Sequence, residues 1–466
     1  MNHKKLLLTL TLCLCALLCM VVTASASEVQ GHSSHPVCGK THTDIGDHTG
    51  TCEDVTWTAW DGTSEIAYDS TTKTAYIYLA ENVNISNKLT IPQGYTLHLC
   101  LNGRNIVRTD NLIQIQDSAN FTLCDCKGDK AEYGKLDSNK GGRVVSFEST
   151  KPGTFTMYGG IITGGNVTGN SGGGVFVGNK NTFTMYGGTI TGNSAGSPGG
   201  GVVVYGAFNM YGGTVTGNFA REGGGGVAAY GAFTMSGGAI TDNTCSGSYN
   251  GGGVYVKNDT WTTAAITLSG NVQIKDNYKG SNSNKKPSNI YLARNKTITV
   301  AGPLTGSSIG VTTETEPSAG SNVTFAAGSE NTIMTGIFTP DTAGVLVGVA
   351  ADGTSAYLYK CSHVYEWAYD EEYHWKKCIN VGCDSVEAGS KIAHTWDYPA
   401  DYNNPKTCIC GATQGEPLTR SYYYYAPSAA EGKKDSPKTA DPGVLLYAGL
   451  ALTSLTGLAY TAKKRH

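Results

Sequence analysis

Apolar and polar positions alternate over short runs in the middle of the chain, and the runs recur at a fixed spacing. Phe155-Thr156-Met157, Phe183-Thr184-Met185, Phe208-Asn209-Met210 and Phe233-Thr234-Met235 each put two large apolar side chains on one face of an extended segment. Each is followed by Tyr or Ser, a Gly-Gly pair, a Thr/Ile/Val run, a Thr-Gly-Asn or Thr-Asp-Asn turn, and a glycine run leading into Val-x-Val or Val-x-Ala. The methionines lie 28, 25 and 25 residues apart. A period in the twenties means one supersecondary unit stacked on copies of itself.

Residues 183–206 show what one unit can build. Phe183 and Met185 belong to a first strand, Ile190 centres a second, and Val202 and Val204 share the inner face of a third. Glycine corners separate them, and nothing shows the 3.6-residue period of an amphipathic helix. The expected fold is all-β: a right-handed parallel β-helix, a single-stranded solenoid. Stacking predicts interior ladders of Phe, of Met, of Ile162/Ile190/Val215/Ile240 and of Val175/Val202/Val227/Val254. Asn170, Asn193, Asn218 and Asn243 are expected to form an amide ladder at one corner. Looser strands at 75–79, 89–91, 95–99 and 121–123 extend the pattern upstream. Residues 266–277 form a fifth, looser coil closed by 289–292, and strands at 298–300, 323–325 and 345–347 extend the pattern downstream as last coils. The solenoid is placed at residues 62–360, about 11 coils at about 25 residues each.

The ends have other compositions. Residues 1–26 combine His3, Lys4 and Lys5, an apolar stretch from Leu6 to Val22 and Ala24-Ser25-Ala26, a secretory signal cleaved after Ala26. Cys19 offers a lipidation alternative. Residues 27–61 form a Cys/His-rich N-terminal cap, 361–412 a second Cys/His-rich module and 413–441 a linker. Residues 442–466 form a transmembrane anchor with a basic tail: Val444–Ala462 carries no charge, and Lys463-Lys464-Arg465 follows. Ahead of it stands Ser436-Pro437-Lys438-Thr439-Ala440. This Pro-x-Thr motif, apolar helix and basic tail resemble the cell-wall sorting signal of Gram-positive surface proteins, with Ser436 and Ala440 replacing the usual leucine and glycine. The resemblance implies that a sortase attacks the Thr439 carbonyl and links the chain to peptidoglycan. A permanent membrane anchor is the other reading. Both place the protein outside the cell, on the wall or plasma membrane.

Loss of Cys13, Cys15 and Cys19 with the signal leaves 11 of the 14 cysteines, an odd number that cannot pair completely. Cys361, His363, His374, Cys378, Cys383, His394, Cys408 and Cys410 lie within 50 residues. Thiolate and imidazole ligands at such spacings suit structural zinc; disulfides and free thiols are the alternatives. The segment resembles small Cys/His modules of gut Firmicutes surface proteins. His35, Cys38, His42, His48 and Cys52 form a second set, for one zinc or a Cys38–Cys52 bridge. Cys100 and Cys124 are expected as buried core thiols or as a pair.

Net charge is −3 with scattered basic residues, which argues against nucleic acid. No histidine stands between His98 and His363, and the acids of residues 141–300 are Glu148, Glu222, Asp242, Asp259 and Asp276. Asp242 and Asp276 precede equivalent asparagines and could share calcium; two solvated turn aspartates are the simpler reading. Trp261, Tyr158, Tyr186 and Tyr211 could stack on sugars. The repeats resemble β-helical surface proteins and adhesins of Gram-positive gut bacteria. That resemblance implies a rod without catalysis that binds a host glycan or cell-surface ligand. A carbohydrate-active β-helix enzyme, polysaccharide lyase or glycoside hydrolase, is the alternative.

Overall fold

The computed structural model describes residues 56–415 apart from 127–132, 149–150, 248–249, 258–263, 281–283, 319, 381–382, 384 and 397–404. The expected signal peptide, the set His35, Cys38, His42, His48 and Cys52, Trp261, the sorting motif Ser436–Ala440 and the apolar tail lie outside the described residues. Among the described residues there is no helix, and so none long and apolar enough to cross a membrane. The chain divides into two compact units between Ile392 and Ala393.

The first unit contains a β-solenoid. A representative coil runs through strands Thr182–Met185, Thr189–Thr191, Ser194–Ala195 and Val202–Val204, then enters the next coil at Ala207–Met210. Each strand pairs in parallel with its counterpart one coil on: Phe183 opposes Phe208, Ile190 opposes Val215, Ala195 opposes Ala220 and Val202 opposes Val227. The two-residue strand Ser194–Ala195 and its equivalents form a separate sheet. This sheet was not expected from sequence, because two residues cannot display an alternation.

Thirteen strands form the sheet that carries the Phe and Met positions. Its first strand, Thr58–Trp60, pairs in parallel with Thr74–Leu79, so stacking begins ahead of residue 62. The parallel series continues to Val323–Gly328. Val345–Val349 was expected as a last coil, but it runs antiparallel to Ser355–Lys360, which runs antiparallel to Val323–Gly328. This hairpin ends the parallel sheet by changing strand direction, which removes the register a further parallel coil would need.

The interior ladders form as the pattern requires. Phe121, Phe155, Phe183, Phe208 and Phe233 stack at centroid separations of 5.1, 4.6, 4.6 and 5.2 Å. Met157, Met185, Met210 and Met235 are fully buried beside them. Burying each such side chain contributes roughly 1.5–3 kcal/mol, and adjacent coils share the gain. The Gly-Gly pair after each methionine has two separate causes. A Cβ on Gly212 would lie 2.4 Å from the Tyr186 carbonyl oxygen of the preceding coil. Gly213 has φ +80°, and a Cβ there would sit 2.6 Å from the Met185 Cε. Glycine is thus required by a backbone contact at the first position and by backbone conformation at the second.

The amide ladder contains Asn193, Asn218, Asn243, Asn277 and Asn289. The Nδ2 of each of the first four donates to the next Oδ1 at 3.0 Å and also to the carbonyl two residues before it. Asn170, expected in this ladder, is exposed. Ile162 opposes Ile190, which sets Gly165 beside Asn193, and the Gly165 N–H donates to Asn193 Oδ1 at 2.9 Å. The ladder ends on Asp341, whose carboxylate accepts from Asn289 N at 2.7 Å, Asn289 Nδ2 at 2.6 Å and the Thr312 hydroxyl at 3.1 Å.

Burial raises the Asp341 carboxyl above its ordinary value of 3.8 despite those three donors. A raised folded-state pKa means that the protonated form suits the folded chain better. The associated stability is fully present below the unfolded value and is lost as pH rises through the folded value. Asp341→Asn, which can accept from Asn289 as the other ladder amides do, should melt a few degrees higher than the parent at pH 7. The gap should close as pH falls toward 4; a gap constant with pH in calorimetric melts would refute this.

Candidate metal centres

Among the described residues two groups of cysteine and histidine converge in space. The first is built on an antiparallel hairpin, Tyr365–Tyr369 with Tyr373–Cys378. Asp370 makes its turn by accepting the N–H groups of Glu372 and Tyr373 at 3.0 and 2.7 Å. The register sets Tyr365 opposite Cys378, so Cys361 and His363, just ahead of the first strand, lie beside the end of the second. After Cys378 the chain turns back, with Cys383 N–H donating to Asn380 O at 3.0 Å and Cys378 N–H to Ser385 O at 2.9 Å.

One ligand atom each from Cys361, His363, Cys378 and Cys383 lies within 4.8 Å of every other. Cys361 Sγ is 3.6 Å from Cys378 Sγ, and Cys383 Sγ is 3.3 Å from His363 Nδ1. The Asn380 side-chain amide donates to Cys361 Sγ at 3.1 Å, a supporting contact that cysteine spacing alone could not reveal. Burial pushes the Cys378 thiol up, but the Asn380 backbone N–H, His363, Cys361 and Cys383 bring it down to about 6. Burial, Cys361 and Cys378 push Cys383 up to about 11, against the pull of the Ser385 N–H. Such a set can hold a metal ion.

The second unit supplies His394, Cys408 and Cys410. Strands Lys406–Thr407 and Thr413–Gln414 pair antiparallel, and Gly411 N–H donates to Cys408 O at 2.9 Å across the tip that carries both cysteines. Cys410 Sγ lies 3.5 Å from His394 Nδ1, and the ligand atoms of all three residues lie within 4.8 Å of one another. Burial raises Cys408, but the Cys410 N–H, His394 and Cys410 outweigh it and leave the thiol at about 7. The eight residues of the Cys/His-rich module therefore do not share one centre. His374 is fully buried in its hairpin and packed edge-on against Trp367 at 4.8 Å.

Other candidates take structural positions. Cys100 opposes Cys124 in the parallel sheet, but both lie on its outer side, in a small apolar cluster under Trp57. Cys126 joins them, 3.3 Å from Cys100 Sγ. Asp242 and Asp276 have φ +58° and +56°, the left-handed corner that Gly192 and Gly217 fill in preceding coils. The turn reading accounts for both aspartates. Tyr158, Tyr186 and Tyr211 stack on one another at 5.0 and 5.1 Å with planes 8° and 14° apart. Tyr186 is covered by a ring on both faces, so a sugar cannot stack on it, and the row presents mainly edges and hydroxyls.

No family model, no curated protein and no solved structure matches the chain.

Proposed function

We propose that the chain is a secreted surface rod, anchored through its C-terminus, that adheres to a host or glycan surface without performing chemistry on it. The observation that carries this reading is the in-register outer face of the solenoid. Thr189 opposes Thr214, and Thr191, Thr216 and Thr241 follow one another coil by coil. Beside them run the edges of Tyr186 and Tyr211, each about half exposed. Identical hydroxyls repeated about every 4.8 Å suit many weak contacts with an extended polymer better than one deep pocket. The hand of the coil is taken as right, the hand that parallel crossovers favour. Attachment goes through Thr439 to peptidoglycan, with the apolar tail as a transient stop.

In this reading the Cys/His sets hold structural zinc. A tetrahedral ion with Zn–S near 2.3 Å sets its sulfurs about 3.8 Å apart, and the observed 3.6 Å between Cys361 and Cys378 matches that edge. A disulfide requires about 2.05 Å and joins only two sulfurs.

Cells displaying the full chain should bind mucin-coated or polysaccharide-coated surfaces at least tenfold better than cells without it. A Thr191→Glu/Thr216→Glu pair, which charges the outer face, should abolish most of that gain. Release of reducing or unsaturated sugar ends by the purified chain would overturn the reading in favour of an enzyme.

A further inference from the structure

A polar pocket opens on the outer face of the earlier coils. Its floor is Gln114 and Ser146, its wall Arg143 against Phe176, and its rim Lys88 and Glu148. The cavity is about 140 Å³. Gln114 and Ser146 oppose one another across neighbouring strands Ile113–Ile115 and Val145–Phe147, so rigid sheet fixes the floor. Gln114 is only 5% exposed. Its Nε2 donates to Glu148 Oε2, while its buried Oε1 has no hydrogen-bond partner. Arg143 Nε donates to Ser171 O at 3.1 Å and its guanidinium lies 4.6 Å from the Phe176 ring centre. The guanidinium is thus oriented by protein contacts that leave its terminal nitrogens available.

We propose that this pocket binds a hydroxylated carboxylate the size of one sugar ring, a uronic acid unit of an acidic glycan. The inference rests on the rod being a glycan-facing surface and names the chemistry it reads. Three demands select that class. The buried Gln114 Oε1 requires a donor, because an unsatisfied buried acceptor is costly; a sugar hydroxyl supplies one. Arg143 and Lys88 against the single Glu148 carboxylate leave one positive charge in excess, which favours a monoanion, and Arg143 offers the planar geometry suited to a carboxylate. Inorganic phosphate meets the charge but sets its doubly ionised oxygens beside Glu148, and a neutral hexose leaves the cations uncompensated.

The test is calorimetric titration of the purified full-length chain with D-glucuronate, D-glucose and inorganic phosphate. D-glucuronate should bind with a Kd on the order of 1 mM, as expected for so small a ligand. Glucose and phosphate should bind at least tenfold more weakly. Arg143→Gln and Gln114→Leu should each weaken D-glucuronate at least tenfold. Lys88→Gln, on the exposed rim where folding is not at stake, should weaken it severalfold and flatten its salt dependence. Equal binding of glucose, equal binding of phosphate, no binding of D-glucuronate, or unchanged affinity in Lys88→Gln together with either folded pocket variant would overturn the proposal. Surface adhesion is scored separately. Adhesive cells whose purified protein ignores D-glucuronate would sink the pocket alone, and D-glucuronate binding without adhesion would sink the rod alone.

Discussion

Met210→Asp is expected to unfold several coils together. Met210 is fully buried, between Met185 and Met235 in register, with Phe208 beside it on the same inner face. A carboxylate there meets no cation and no donor, only sulfur and hydrocarbon. Burying an unpaired charge or forcing its neutralisation costs several kcal/mol, on the order of 4. In a solenoid the loss is not confined to one coil. Each coil is stabilised chiefly by its neighbours, so breaking the ladder at Met210 weakens the interfaces on both sides. The melting temperature should fall by about 10 °C. Asn209→Asp supplies the control, since the neighbouring side chain points to the other face and is partly exposed. That change should stay within about 0.5 kcal/mol. Circular dichroism melts in which the two variants behave alike would remove the inward assignment of the Met ladder.

The control works because alternation along a strand is legible in sequence, and the same property decided what else could be read. Phe183, Met185, Ile190, Val202 and Val204 repeat with side chains large enough to mark the inner face, so coils and ladders follow from the string of residues. The amide ladder was legible in kind, with Asn170 misplaced and Asn277 and Asn289 not foreseen. Residues 161–170 contain both Thr163-Gly164-Gly165 and Thr168-Gly169-Asn170, and the second matches the motif by composition. Strand pairing chooses the first, because Ile162 must meet Ile190 in the core. A hydrophobic contact overrode a polar match. Strand direction at the C-terminal end was illegible for a different reason: Val345–Val349 alternates equally well in a parallel or an antiparallel sheet.

The ligand sets show the same limit. Eight cysteines and histidines at short spacings announce metal chemistry without saying which residues meet. The hairpin register that brings Cys361 and His363 to Cys378 depends on the Asp370 turn, and the same register buries His374 against Trp367. The tyrosine row was legible as exposed aromatics, but its consequence reversed on stacking. Equivalent residues one coil apart lie close enough for ring to cover ring, so repetition, which made the row conspicuous, also closes its inner faces.

Removing metal should separate the hairpin from the solenoid. The full chain purified under reducing conditions should carry zinc, and Cys378→Ser should lower its content by about one equivalent while Cys245→Ser leaves it unchanged. Cys245 is a buried thiol of the solenoid outside either ligand set, which makes it the matched control. Metal binding to such a set is folding free energy for the small segment that it closes, because the unfolded segment does not present the four ligands together. A chelator should therefore speed amide hydrogen exchange across residues 361–380. Exchange across Thr182–Met185 and Ala207–Met210 should not change, since the Phe and Met ladders contain no ligand. Cobalt in place of zinc should show the intense thiolate absorption of a tetrahedral site, lost in Cys378→Ser. Mass spectrometry that finds Cys361 and Cys378 bridged, with no metal on the native chain, would sink this account. So would chelator-insensitive exchange across the hairpin, because a site that contributes nothing to the fold around it is not a structural one.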